Sequence, residues 1–338
     1  MRTPFRFAAT FALTGALVVA CSSAASPTPA PSAAPTAAPS AVLTPAPSAA
    51  PSTAATPAAS PSPAVAPSPS PDPCAPANLK LVTAGTLTIG TDNPAYPPYF
   101  APREGGNTPP WEGDFVGDPT TGEGFESAVA YAVADKLGFA KDKVAWIAVK
   151  FDNSYAPGPK AFDFYVAQVS YKPERSQTAD LSDGYYFVNQ AVVTLTSSPL
   201  AKATTLSELA AYKFGAQAGT TSYDTIVNTI KPTKDPAVFD SNDAAITALK
   251  NKQIEGIVVD LPTAFFMTAV QLDSGLIVGQ FRAPTGSDAE HFSMVLAKDS
   301  SLTACVNQAL AALKADGALD QITTTWLSDK ASAPAFQP

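Results

Sequence analysis

From Ser22 to Pro73 the chain is built almost wholly of Ala, Pro, Ser and Thr, and it contains fifteen prolines. A stretch with essentially no charge and no large apolar side chains buries too little surface to offset the entropy of ordering it. It is expected to be disordered, with extended polyproline II character and a reach of at most about 3 Å per residue, or on the order of 150 Å in all. Any fold is therefore confined to the residues beyond Pro73. At Cys74 the composition changes abruptly to mixed apolar, aromatic and charged residues, and roughly 260 residues remain, enough for one large domain or two lobes with their own cores.

Ahead of this stretch, Arg2 and Arg6 form a short positive region and an apolar run extends from Phe7 to Ala20. The run is too short and too alanine-rich for a stable membrane span, and it ends in small residues as an export signal does. It closes on Val18-Val19-Ala20-Cys21, which is similar to the bacterial lipobox, where the cysteine takes a diacylglycerol and becomes the new N-terminus. An ordinary signal peptide with a cysteine nearby is the other reading; the polar Ser22-Ser23 pair favours the lipoprotein. Residues 1–21 are then a signal with Cys21 retained, its acyl chains holding the protein on the outer face of a membrane. Residues 22–73 are a tether that lets the folded part stand clear. A proline-rich ligand for a recognition module is the weaker alternative, because no basic residue flanks the prolines.

The formal net charge is −8, and removing Arg2 and Arg6 with the signal leaves −10. An acidic surface with no basic cluster argues against nucleic acid and against docking on anionic lipid. With Cys21 used for the anchor, Cys74 and Cys305 remain. Outside the cytoplasm two such cysteines more often pair than stay free, which would tie the entry of the fold to its final helical pattern; two buried thiols are the alternative. Neither has a histidine or second cysteine at metal spacing, so no metal is expected, and no cofactor is implied.

Within the folded part, Thr86–Asp92 alternates like a strand and runs into the loop "NPAYPPYF". Apolar residues at Phe125, Ala128, Val129, Ala132, Val133 and Leu137 have helical spacing, with Gly138 placed for a C-terminal cap. Val144–Val149 and Phe162–Ser170 read as strands, and "YKFGAQAGTTSYDTIV" reads as strand, turn and helix. "NDAAITALKNKQ" is a short amphipathic helix, "IEGIVVDLPTAFFM" a buried strand ending at Asp260 before a helix, and the tail from Ser301 two helical pieces broken at Asp316-Gly317. Alternation of strands and helices predicts an α/β fold with mainly parallel sheets, whose ligands sit at the carboxyl ends of strands against helix N-termini. Polar residues fall at such ends: Asp92 and Tyr96, Ser170 and Arg175, Thr220 and Thr221, and Asp260.

Taken together these segments resemble the extracellular solute-binding proteins of family 3, which serve amino-acid ABC transporters. The resemblance runs from Leu79 to Trp326 and is carried by six segments in order. They are the first strand with its Pro-Tyr loop, "GEGFESAVAYAVADKLGF", "VSYKPERSQTADLSDGYY", "AGTTS", "GIVVD" and "LKADGALDQITTTWL". It implies a two-lobed clamp of the type 2 periplasmic-binding-protein class, each lobe α/β, with two hinge strands. Lobe one is expected over 74–187 plus 284–332, lobe two over 188–283 and a tail over 333–338, with the hinge near "YFVNQ" and "VGQFR".

The resemblance also implies the site. An amino acid presents a carboxylate and an ammonium on one carbon, and each needs a partner in a dehydrated cleft. Arg175 would grip the carboxylate with its planar fork, Thr221 would add a donor at a helix N-terminus, and Asp260 would accept from the ammonium. Ser170 would touch the amino-acid backbone, Tyr96 would pack on the side chain, and Asp92 and Thr220 complete the set. From the residues alone, alternatives stay open: Arg175 pairing with Asp180 or Asp183 on the surface, Asp260 as a plain N-cap before Pro262, and Tyr96 as loop packing. His291 reads as structural. Lys172 departs from the family's threonine, "LSDGY" departs from its Phe-Ser-x-Pro-Tyr, and the segment 102–123 is long, with Trp111 or Phe115 placed to overhang the cleft. Ala167 and Gln168 stand where side-chain-reading residues lie, so the solute's side chain stays open.

The expected function is capture of an amino acid or related small solute for an ABC permease, by a monomer anchored through lipid. A dehydratase-like enzyme of the same fold and a ligand sensor partnering a membrane receptor are the runners-up.

Overall fold

A computed structural model describes residues 72–282, 289–327 and 332–338. Cys21, the export signal and the tether up to Pro71 lie outside the described residues.

The described chain begins by building a sheet from strands β1 (Leu87–Thr91), β2 (Val144–Ala148), β3 (Phe164–Tyr165) and β4 (Ala179–Leu181). Next come β5 (Tyr186–Phe187), β6 (Gln190–Leu195), β7 (Phe214–Gln217), β8 (Ala237–Phe239), β9 (Gly256–Asp260) and β10 (Gly275–Gln280), then β11 (His291–Phe292) and β12 (Val295–Ala297). The first sheet has the order β2-β1-β3-β12-β4, with β1 parallel to β2 and β3, and β12 antiparallel to β3 and β4. The second has the order β10-β6-β9-β7-β8, with β7 parallel to β8 and β9, and β6 antiparallel to β9 and β10.

Helices cover both sheets. They are α1 (Phe125–Lys136), α2 (Phe151–Ser154), α3 (Leu206–Leu209), α4 (Thr221–Thr225), α5 (Asn242–Lys250), α6 (Leu261–Phe266), α7 (Thr303–Ala315) and α8 (Ala318–Leu327). Gly138 comes after α1 at φ +83°, the left-handed conformation that ends a helix at little cost only for a residue without Cβ. Along β1, Leu87 and Ile89 point into a core shared with α1, α7 and α8, while Tyr165, Ala179 and Val295 of the same sheet pack on its other face. The second sheet obeys the same period of two. Ala191, Val193, Ile257 and Val259 face α5 and α6, whereas Val192 and Val258 face Phe214, Ile226 and Ile230. Each fully buried Val, Leu or Ile among them contributes roughly 1.5–3 kcal/mol of transfer free energy, so each lobe has an apolar core of its own.

The lobes meet through a two-stranded antiparallel ribbon, β5 with β11, pairing Phe187 with His291 and Tyr186 with Phe292. The chain passes from β5 to β6 of the second sheet within "YFVNQ". The return is displaced: "VGQFR" mostly belongs to β10 of the second sheet, where Phe281 N donates to Gln190 O (2.9 Å), and the paired return strand comes at His291. His291 has a structural role there, stacked on Tyr171 with ring centroids 5.5 Å apart. The final residues also do more than trail away. Phe336 is buried in the second core, and Gln280 N donates to Pro334 O, so the chain returns to the second lobe after α8.

Cys74 and Cys305 form a disulfide with their Cα atoms 5.4 Å apart, joining the start of the described chain to α7. Among the described residues, no helix is long and apolar enough to cross a membrane, and no cluster of His, Cys, Asp and Glu is arranged to hold a metal ion.

Candidate functional site

All seven sequence-nominated residues, Asp92, Tyr96, Ser170, Arg175, Thr220, Thr221 and Asp260, line one cavity of about 560 Å3 between the two sheets. They reach it from the ends of their elements. Asp92 comes directly after β1, Asp260 closes β9, Thr220 and Thr221 open α4, and Ser170 and Arg175 lie in the loop between β3 and β4.

Arg175 is only 4% exposed. Its guanidinium carbon lies 4.7 Å from the ring centroid of Tyr155 and 5.4 Å from that of Phe151, a cation–π seat that fixes the plane of the fork. Nη2 donates to Gly219 O in the second lobe (2.8 Å) and Nη1 donates to Ser170 O in the first. Neither Asp180 nor Asp183 is its partner: Asp180 accepts from Thr303 Oγ1 (2.8 Å) and pairs with Lys298 (3.5 Å). The surface-pair alternative for this arginine is thereby set aside. Gly219 admits the approach because a Cβ there would stand 2.6 Å from Tyr155 Oη and 2.8 Å from Asp152 Oδ1, and its φ is +71°.

Asp260 precedes α6, yet its side chain makes no capping bond; it accepts from Gln190 Nε2 at 2.6 Å. Burial first, and then the charge of Glu290, raise its carboxyl well above the usual range. A cationic group arriving in the cleft would reverse that shift. Thr220 acts as the cap of α4 instead of presenting its hydroxyl, accepting from Tyr223 N (3.3 Å) and donating to Gln217 O (2.8 Å). Tyr96 packs its ring on Phe266 (centroids 5.7 Å) and donates its hydroxyl to Asp243.

Glu290 is the residue that sequence reasoning missed. Its Oε1 accepts from Ser170 Oγ (2.6 Å), Thr221 Oγ1 (2.5 Å) and Gln190 Nε2 (3.1 Å). One carboxylate oxygen beside the hinge ribbon thus gathers donors from both lobes, from residues 120 and 69 positions away in the case of Ser170 and Thr221. Further contacts cross the cleft: Lys172 Nζ to Asp224 Oδ2 (2.5 Å) and Tyr99 Oη with Thr263 Oγ1 (3.1 Å). Lys172, a departure from the family pattern, therefore spans the jaws. The chain is in a closed arrangement.

Two expectations are corrected. Trp111 does not overhang the cleft: it is 2% exposed, packs in the first core and donates Nε1–H to Asp92 O (3.2 Å). Phe115 is exposed and is not among the residues lining the cavity. The long segment is instead organised around Asp118, which accepts from Arg103 Nε (2.8 Å), Thr108 N (2.8 Å) and Thr120 N (2.9 Å). Gln168 does line the cavity, held at φ +52° by donating its backbone N–H to Glu126 (2.7 Å). Burial raises the Glu126 carboxyl to about 7.

A closed two-lobed clamp with a buried arginine on one wall and a half-buried aspartate on another is the architecture of a protein that encloses a small polar solute. The chain belongs to the bacterial extracellular solute-binding proteins, family 3, whose family model matches residues 87–329. It is 26% identical over 203 residues to a probable histidine-binding protein of Campylobacter jejuni, covering 59% of this chain and 74% of that one. Among solved structures it is similar to an ancestral arginine-binding protein bound to arginine, at 27% identity and a TM-score of 0.57, covering 72% and 98% of the two chains. It shares the fold of an ancestral amino acid-binding protein that is a precursor of cyclohexadienyl dehydratase, at 23% identity and a TM-score of 0.55, covering 72% and 95%.

Proposed function

We propose that this protein captures an α-amino acid, or a close relative, in the inter-lobe cleft and delivers it to the permease of an ABC importer. The observation that carries the reading is Arg175, buried between Tyr155 and Phe151 with its guanidinium at the cleft, together with Asp260 on the wall built by the other lobe. A carboxylate and an ammonium on one carbon satisfy both charges at once, whereas either charge buried alone costs several kcal/mol. Ser170 and Thr221 stand beside the same place, and the hinge gives closure a route by which contacts in both lobes favour the closed state. Relatives named for binding amino acids support the same solute class. On this reading Cys21 carries the lipid that holds the protein on the outer face of the membrane, and residues 22–73 carry the clamp to the permease.

Thermal unfolding of the full chain, freed of carried-over solute, against a panel of amino acids and small carboxylates tests it. At a hundred times its dissociation constant a true ligand stabilises by about 2.7 kcal/mol, a rise of several degrees for a domain of this size. A rise with at least one α-amino acid, absent with its α-amide, is expected. No rise with any amino acid would refute the reading.

A further inference from the structure

Four of the seven residues nominated for the cleft carry hydroxyls, and the protons of all four are committed inside the protein. Tyr96 donates to Asp243 and Thr220 donates to Gln217 O, while Ser170 and Thr221 both donate to Glu290 Oε1, at 2.6 and 2.5 Å. A hydroxyl has one proton to give, and a carboxylate oxygen can only accept it. Ser170 and Thr221 therefore turn lone pairs, and no donor, towards the cavity they line. Of these seven described residues, Arg175 alone keeps side-chain donors for a bound anion, with one N–H each given to Ser170 O and Gly219 O.

Glu290 stands behind the cavity wall and is not among the residues that line it. Gln190, 4% exposed, holds it there: Nε2 donates to Glu290 Oε1 (3.1 Å) and Oε2 (3.2 Å), and to Asp260 Oδ1 (2.6 Å). Turning that amide round would set its oxygen against two carboxylates, whereas as placed the oxygen accepts from Ser222 Oγ (2.7 Å). The Thr221 and Ser170 hydroxyl oxygens lie 3.4 Å apart, too far to compete with Glu290 for the Thr221 proton. Asp260, Ser170 and Thr221 thus make a corner of the cavity that only accepts hydrogen bonds, with a second carboxylate behind it. A carboxylate placed there would face lone pairs and two negative charges. An ammonium brings three N–H donors, no acceptor and the opposite charge.

We propose that Glu290 is a positioning residue for solute selection: by taking the protons of Ser170 and Thr221 it makes both hydroxyls acceptors, so that they and Asp260 together hold a primary α-ammonium and reject an α-hydroxyl. This rests on the amino-acid reading of the cleft and names the group that enforces it. Thr221, expected to add a donor for the carboxylate, would serve the ammonium instead and leave the carboxylate to Arg175. An α-hydroxyl offers one proton to three acceptors and no charge to the two carboxylates. Glu290 acts through the two hydroxyls, one from each lobe, without touching the solute.

Calorimetric titration of the full chain with amino acids and their α-hydroxy acids tests it. The pairs are L-arginine and L-argininic acid, L-glutamate and L-2-hydroxyglutarate, L-leucine and L-2-hydroxyisocaproate, and L-phenylalanine and L-phenyllactate. In whichever pair binds, the wild type should hold the amino acid at least about 100-fold more tightly than the hydroxy acid. Glu290→Gln puts an amide donor behind the hydroxyls and returns a hydroxyl proton to the cleft. It should cut that ratio about tenfold or more, chiefly by weakening the amino acid, a split that a merely structural role would not produce. Ser170→Ala and Thr221→Val each remove one acceptor, and should each weaken the amino acid about tenfold while leaving the hydroxy acid within about threefold. That arm stands even where Glu290→Gln does not fold. If the wild type binds a hydroxy acid as tightly as its amino acid, the acceptor corner is refuted and capture through Arg175 stands. If the variants weaken both members of a pair equally, the positioning role of Glu290 is refuted. If no member of any pair binds, both readings fall.

Discussion

Replacing Arg175 with alanine is expected to lower affinity for the solute by about thirtyfold to several thousandfold. Truncating one partner of a buried, hydrogen-bonded charge pair costs roughly 2–5 kcal/mol, and each 1.4 kcal/mol is tenfold. The substitution removes the fork that would meet the carboxylate and leaves the stacking faces of Tyr155 and Phe151 without their cation. It also strips the donors from Ser170 O and Gly219 O, so some loss of stability, about 1–3 kcal/mol, should accompany it. Arg175→Lys separates the two effects. It keeps the charge but not the planar pair of donors, and should fall between wild type and alanine in affinity. The check is titration of all three proteins, after each shows a single cooperative unfolding transition. An Arg175→Ala protein that folds and binds undiminished would remove the arginine from the account.

Reducing the Cys74–Cys305 bridge should cost the fold about 2–5 kcal/mol without changing what it binds. The bridge closes a span of 231 residues, and in the chain-entropy view long loops gain most from being closed. Cys305 packs with Val306, Ala309 and Leu310 in the first core, so the bridge anchors the chain entry to α7. A fall in Tm of about 10 °C on reduction is expected. Neither cysteine lines the cavity, so affinity at 25 °C should stay within about threefold. Differential scanning calorimetry with and without reductant measures the first, and titration of the reduced protein the second. A large loss of affinity with little change in Tm would show that the bridge acts on the cleft and not on the core.

Much of the fold was legible in the chain because the signals were local. The apolar spacing of α1, with Gly138 beyond it, is set by residues three and four apart, and the break between α7 and α8 is marked by Asp316-Gly317. The candidate site was legible for a similar reason: strand ends announce themselves, and Asp92 and Asp260 stand at theirs. What was not legible depends on partners distant in sequence. The expected strand over Phe162–Ser170 is interrupted: it pairs as a strand at Phe164–Tyr165 and again as a single bridge from Ser170 to Phe292, with Gln168 between them turned at φ +52° to reach Glu126. Trp111 sits in a proline-rich loop with no periodicity, and only the folded loop shows that it faces the core. Phe336, a single aromatic near the end, had no pattern to mark it as a core residue. Glu290 gave no signal at all; its position is set by a hinge that brings Ser170 and Thr221 to it.

The most direct test of the central claim is a crystal structure of the full chain with the amino acid that raises its unfolding temperature most. The account predicts the α-carboxylate within hydrogen-bonding distance of the Arg175 guanidinium and the α-ammonium within that distance of Asp260. An amino acid bound elsewhere, or bound in this cleft with its carboxylate turned away from Arg175, would contradict it.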